Sequence, residues 1–410
     1  MRHPIAPVFI LAAATLPVAA IGVGFDAAEP GAEVTYLISE LALPTPAGTH
    51  SRGSSINDGG VVAGYYNRSG DQAREAIVWL HGQPHPLGTL GGTNSSVTWP
   101  GKTKRSLVVG IAQTGIVQPR GEAWSCSAFF PGPDAATYTC LGFAWDAATG
   151  EMRELPTLGG DNGYAASANN RRHVVGWAEN LVLDPENCVL PQQLQFRPVL
   201  WDLNTKETRE LPLYPGDSSG AATGINDRGQ VVGISGICDQ AVGRHTARHA
   251  VLWENGTVRD LGNVGGDTWN TPTSITQRGD IVVGFASSPG DDPDNPSFRA
   301  WLWTERDDVC AKLPGTDICD LGTLDVGGTA QAWGVNERGQ VVGTACAPSG
   351  ECKAFLWENG VMTDLNDGKR GYVHHLENAL DINNLGEMTG RALTSTNERL
   401  AFVAIPTRQP

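Results

Sequence analysis

The sequence predicts an all-β protein, a seven-bladed β-propeller of four-stranded antiparallel blades, on three observations. A Val-Val-Gly element recurs at residues 61–64, 108–110, 174–176, 231–233, 282–284 and 341–343, and survives as Glu387-Met388-Thr389-Gly390. An apolar strand ending in tryptophan recurs in step with it, placing Trp79, Trp145, Trp201, Trp253, Trp303 and Trp357 in register, with a seventh copy at residues 400–404 that lacks the indole. Asn, Asp and Gly, as in Ile225-Asn226-Asp227-Arg228-Gly229, stand between the apolar runs where tight hairpin turns need them. A long repeat holding four short β-rich pieces is the pattern of a propeller blade.

Composition agrees with this class and excludes others. The 410 residues carry a net charge of −15 and include 51 glycines with no three-residue period. So acidic a chain, without a long basic run, does not suit nucleic acid or an anionic membrane surface. Arg2 and His3 precede an apolar stretch over residues 4–20 that ends in Val18-Ala19-Ala20, which reads as a secretory signal peptide cleaved near Ala20. Residues 21–33 then form a linker, 34–405 the propeller and 406–410 a tail. A secreted or periplasmic monomer with no membrane span in the mature chain is expected. Eight cysteines, none in the signal, fit an oxidising compartment. Local spacing suggests Cys126 with Cys140, Cys310 with Cys319 and Cys346 with Cys352, leaving Cys188 and Cys238, although eight cysteines allow 105 connectivities.

Each unit reads as a first strand ending in Ile-Asn, a second carrying Val-Val-Gly, a third ending in Trp and a fourth reading Asp-Leu-Gly. In unit two the first strand is expected near residues 98–104, without the Ile-Asn signature. Residues 34–41 resemble a fourth strand, and the chain finishes on a third. The first strand is therefore expected to complete the last blade and remove the exposed sheet edges.

The units resemble the HAF repeats of probable extracellular bacterial proteins. The resemblance lies in His249-Ala250-Val251 and Lys353-Ala354-Phe355, and in the glycine element at residues 87–92, 155–160, 261–266 and 321–328. In the last unit Leu365-Asn366-Asp367-Gly368 replaces that element. The resemblance implies a secreted β-propeller and assigns no catalytic residue.

Most length variation falls in the connections from second to third strand and from fourth strand to the next unit, which emerge on one face. Long loops on a rigid scaffold commonly carry function. Seven of the cysteines, all but Cys310, are expected in or beside these connections. Trp99, Tyr164, Trp269, Trp333 and Tyr372 follow the glycine element and either ring the channel mouth or pack between units. Ringed aromatics beside Asp161, Asp217 and Asp267 suit a sugar, stacking on its apolar faces and accepting from its hydroxyls. Arg244 and His245 add a local basic patch. These ten side chains make carbohydrate binding the leading expectation.

An enzyme is the second expectation. Arg370, Tyr372, His374 and His375 supply a charge neutraliser, a proton donor and a base for a polysaccharide lyase or hydrolase; the same residues also read as a solvated polar loop. A protein-interaction scaffold is the third. No cofactor is expected, except that Asp291, Asp292 and Asp294 offer hard oxygens to calcium without the spacing of an EF-hand. The recurring Asn57, Asn169, Asn226, Asn336 and Asn383 read as turn residues.

Overall fold

The computed structural model describes residues 35–407 apart from 102, 104–106, 123, 187, 189–191, 239–245, 267 and 293–295, and the backbone alone at 124 and 125. The expected signal peptide and linker, together with Arg244, His245, Asp267 and Asp294, lie outside the described residues.

The chain opens with β1 (Thr35–Glu40). Unit one follows as β2 (Ala47–Ile56), β3 (Val62–Arg68), β4 (Arg74–Leu80) and β5 (Gln83–Gly88). Unit two comprises β6 (Gly91–Ser96), β7 (Leu107–Val117), β8 (Tyr138–Asp146) and β9 (Glu151–Glu154). In unit three stand β10 (Gly163–Ala168), β11 (His173–Leu183), β12 (Leu194–Asp202) and β13 (Glu207–Glu210). Unit four holds β14 (Ser219–Ile225), β15 (Val231–Gly236), β16 (His249–Glu254) and β17 (Thr257–Asp260). Unit five holds β18 (Asn270–Ile275), β19 (Val282–Ser287), β20 (Phe298–Trp303) and β21 (Ile318–Asp320). Unit six holds β22 (Thr329–Val335), β23 (Val341–Cys346), β24 (Cys352–Glu358) and β25 (Val361–Asp364). The last strands are β26 (Lys369–Arg370), β27 (His375–Ile382), β28 (Met388–Leu393) and β29 (Arg399–Thr407).

Units two to six are each a separate four-stranded antiparallel sheet, paired in chain order. The remaining strands form a sheet of nine, in which β2–β5 and the series β27, β28, β29, β1 meet through one parallel bridge, His50 to Arg399. β1 runs antiparallel to β29 with Leu37 opposite Ile405. The result is an all-β, propeller-like stack of sheets.

Packing explains the two sequence repeats. Each tryptophan stands opposite the residue two before the glycine of its own Val-Val-Gly element, as Trp253 does to Val231 and Trp79 to Val62. It also packs on the preceding sheet: Trp253 joins Val175 and Leu200 of unit three, and Trp303 joins Val232 and Leu252 of unit four. Burying a side chain of this size stabilises by roughly 2–3 kcal/mol. The glycine of Val-Val-Gly is dictated by a close approach. A β-bulge in the facing strand drives the Ala221 carbonyl against Gly233, and a Cβ there would collide with it and with the Trp253 ring.

The recurring asparagines do more than turn the chain. Asn226 Oδ1 accepts the backbone N–H groups of Arg228 and Gln230, while its Nδ2 donates to the Thr276 carbonyl of the next unit at 3.2 Å. Nδ2 of Asn57, Asn169 and Asn336 likewise reaches the carbonyls of Thr103, Asn226 and Asn383. Asn383 of the last unit donates to the Asn57 carbonyl of the first at 3.0 Å. Gly229, at φ 85°, closes the turn in a conformation a side chain would strain.

Two expectations are corrected. The first strand of unit two is Gly91–Ser96, ahead of the expected position near residues 98–104, because Ser95 and Ser96 pair with Ala112 and Ile111 of β7. The connection from β20 to β21, a third-to-fourth-strand turn, is also long, spanning residues 304–317, while Cys319 lies on β21 next to the connection to unit six. All eight cysteines pair as spacing suggested: Cys126–Cys140, Cys188–Cys238, Cys310–Cys319 and Cys346–Cys352. Four disulfides suggest a compartment other than the reducing cytoplasm. Among the described residues no helix is long and apolar enough to cross a membrane.

Candidate anion-binding site

The expected aromatic ring is an aromatic core. Trp99 of unit two and Trp333 on β22, four units further along, meet with ring centroids 5.6 Å apart, so they face each other across the centre. Trp333 also packs on Phe285 at 5.3 Å, and Tyr164 lies on β10, 1% exposed, stacked on Phe129 at 5.2 Å. The Tyr164 hydroxyl bonds the Thr98 hydroxyl. Trp269 is half-buried and edge-on to Phe298 at 4.9 Å, with its indole N–H on Thr271. Burying these rings together releases more free energy than leaving them at a wet channel mouth.

The carboxylates expected beside them are engaged elsewhere. Asp217 accepts from Ser235 at 2.6 Å and from the His249 ring at 2.9 Å. Asp161 is ion-paired to Arg120. Asp291 closes its own loop, accepting the N–H groups of Ser288 and Ser297 and the Ser297 hydroxyl, while Asp292 is exposed. Of the four residues of the expected catalytic loop, Tyr372 and His374 meet edge-on with ring centroids 5.3 Å apart, while His375 and Arg370 are engaged or exposed elsewhere. Tyr372 packs against the core of the last unit, where burial and the Glu40 charge push its phenol upward. His374 Nε2 lies 3.3 Å from Glu40 Oε1, whereas His375 bonds the Cys352 carbonyl at 2.7 Å and Arg370 is exposed on β26.

The structure instead assembles a cationic cluster from units seven and one. Tyr65, on β3 and 5% exposed, has the Arg74 guanidinium 3.8 Å from its ring centroid and that of Arg52 at 5.0 Å. Arg391 of β28 hydrogen-bonds the phenol. Burial pushes the phenol up, yet Arg52, Arg74 and Arg391 outweigh it and pull it down to about 8. Burial also pulls both Arg52 and Arg74 downward.

Neutral groups hold these arginines in place. Arg52 donates to the Thr98 carbonyl at 3.0 Å and Arg74 to the Phe129 carbonyl at 2.6 Å and to Asn67 at 3.1 Å. Glu377 of β27 takes Arg391 at 2.7 Å and Arg399 at 3.7 Å. Among the described residues Arg52 and Arg74 have no carboxylate partner, so the cluster carries unmatched positive charge. Orphan guanidiniums beside an acidified phenol favour an anion. A cleft lined by Asp146, Glu151, Arg153, Arg172 and Trp201 lies elsewhere, but its charges pair internally, Arg172 with Asp146 at 2.7 Å and Arg153 with Glu151 at 2.8 Å.

Aligning the units on their Val-Val-Gly glycine would have exposed this cluster. The next residue is Ile111, Trp177, Ile234, Phe285 or Thr344 in units two to six, and becomes Tyr65 and Arg391 in units one and seven.

No protein-family model matches the chain, and no curated protein matches it. Among solved structures, acylaminoacyl peptidase of Pyrococcus horikoshii aligns with TM-score 0.48 and 11% identity over 87% of this chain and 51% of its own. Oligogalacturonate lyase from Vibrio parahaemolyticus aligns with TM-score 0.47 and 13% identity over 91% and 98%. TolB from Acinetobacter baumannii gives 0.42 and 11% over 85% and 64%. The chain spans about half the length of the peptidase. Likeness this remote carries no activity across.

Proposed function

We propose that the chain is a secreted seven-bladed β-propeller of the HAF-repeat type, closed by β1 as the outer strand of the last blade, which binds an anionic carbohydrate through Arg52, Tyr65, Arg74 and Arg391. Two bonds support the closed ring: the β1 to β29 pairing and the Asn383 to Asn57 link between last and first units. The observation that carries the ligand class is the pair of arginines without carboxylates, set around one phenol in a chain of net charge −15. A bound carboxylate or sulfate would supply the missing countercharge through bidentate bonds. Calorimetric titration with oligouronates, sulfated oligosaccharides and neutral oligosaccharides at pH 6.5 tests this. Binding of the anionic members alone, lost in Arg52→Ala, is the expected result; equal affinity for the neutral ones would refute it.

A lyase is the second reading, favoured by the Tyr65 phenol at about 8. As the phenolate, Tyr65 can remove the proton next to a uronate carboxylate whose charge the arginines neutralise; the electron pair forms the double bond as the glycosidic C–O bond breaks, and the leaving oxygen takes a proton from water. The assay is ultraviolet absorbance of the unsaturated product end. Its rate would rise through pH 8 and vanish in Tyr65→Phe, whereas pure binding would leave absorbance flat.

A further inference from the structure

A second cluster, of opposite sign and independent of the anion site, lies between units two and three. Glu122 comes from the connection between β7 and β8, Asp161 precedes β10, and Glu179 lies on β11. One carboxylate oxygen from each lies within 4.8 Å of the other two. Glu122 and Glu179 are both 0% exposed, so two acidic side chains are held out of water beside a third. Burying such charges is costly unless a cation or donors compensate.

The donors account for part of the set. Glu179 accepts the N–H groups of Asp161 and Asn162 at 3.0 and 2.8 Å and the Asn162 side-chain amide at 2.9 Å. Glu122 Oε1 takes the N–H groups of Gln193 and Leu194. Glu122 Oε2 is wholly buried and has no donor among the described residues. Gln118 Oε1 is a second buried oxygen without one, on an amide that donates to Asn162 at 2.7 Å. The cation on the cluster is Arg120, whose guanidinium takes Asp161 alone.

We propose that Glu122, Asp161 and Glu179 form a calcium site. Three carboxylates, one guanidinium and one divalent ion sum to zero charge. All the ligating atoms are hard oxygens from three separate elements, and calcium accepts such sets at about 2.3–2.6 Å in irregular geometry. Two oxygens up to 4.8 Å apart can therefore share one ion. Asp161, the part-exposed member, gives the ion its way in, and Arg120 caps it from solvent. Bound there, calcium would tie the disulfide-bearing connection of unit two to unit three.

Equilibrium dialysis of the chelator-treated full mature chain against radioactive calcium tests the site directly. The expected result is one saturable ion per chain, with affinity in the range of extracellular modules, about 0.1–1 mM, and a rise in melting temperature with added calcium. Glu179→Gln, which keeps the side-chain shape, should weaken uptake at least tenfold while near-ultraviolet circular dichroism stays native. Arg120→Ala, an exposed change, should tighten it several-fold by removing the competing cation from Asp161. No saturable uptake by the wild-type chain up to about 10 mM calcium, ten times the weakest such affinity, overturns the proposal. So does uptake unchanged in a folded Glu179→Gln. Either failure leaves the arginine cluster untouched.

Discussion

Two sectors of the propeller-like stack share one register of the repeat and differ in chemistry. In units two to six the residue after the Val-Val-Gly glycine is Ile111, Trp177, Ile234, Phe285 or Thr344, and rings such as Trp99 and Trp333 fill the centre. In units seven and one the same register brings Arg391 and Tyr65, with Arg52 opposite Tyr65. Backbone bonds are alike in both sectors. A propeller keeps its blades by repeating turns, glycines and tryptophans, and gains a site where one arc departs from the repeat at a position that faces inward.

Five experiments can break or sharpen this contrast. The largest effect belongs to the scaffold: Trp253→Ala should cost about 3–5 kcal/mol of unfolding free energy in urea, yet leave anion affinity intact in the folded fraction. Asn383→Ala comes next, at about 1–3 kcal/mol, because it strips the turn acceptor and the bond to Asn57. Arg74→Ala should behave oppositely. It should lower anion affinity about ten- to a hundredfold, as expected for a charged hydrogen bond of about 1.5–3 kcal/mol, with a much smaller loss of stability than Trp253→Ala. A reversed ranking would mean that the arginines are scaffold.

The fourth experiment reads pH. The phenol of Tyr65 is depressed from 10 to about 8 in the folded chain. Its stabilising contribution is therefore fully present above pH 10 and lost as pH falls through 8, so stability from this group rises across that window. Anion affinity takes the opposite sign, since phenolate formation adds a negative charge to the cluster. Affinity should fall as pH rises through 8 and stay flat in Tyr65→Phe. The smallest effect is the control: Arg153→Ala, on an exposed ion pair, should change neither binding nor melting temperature measurably.

The strand pattern was legible because every unit repeats it, and the cysteine pairs because three of the four are near neighbours in sequence. Trp99 was misplaced since Ser95 and Ser96, without an Ile-Asn ending, give no sign that they pair with β7. For Tyr164 and Trp333 the sequence left two readings open, channel mouth or packing between units, because an aromatic after glycines reads alike whether it faces water or a neighbouring sheet. Arg52, Arg74 and Arg391 went unread because Arg391 is nearly the whole chain away from the other two, and the packing of β2 on β28 and β29 brings it to them. Glu122 and Glu179 were equally silent: lone acids in sequence, a cluster in space.

The pairing of β1 with β29 also sets an order of events during synthesis. Residues 35–40 leave the ribosome early but must wait for residues 399–407 before they find hydrogen-bond partners. Until then Tyr36 and Ile38, later buried in the last core, remain open to other strands. Arg391 of the proposed anion site, on β28, likewise joins Arg52 and Arg74 only after the intervening units have been made.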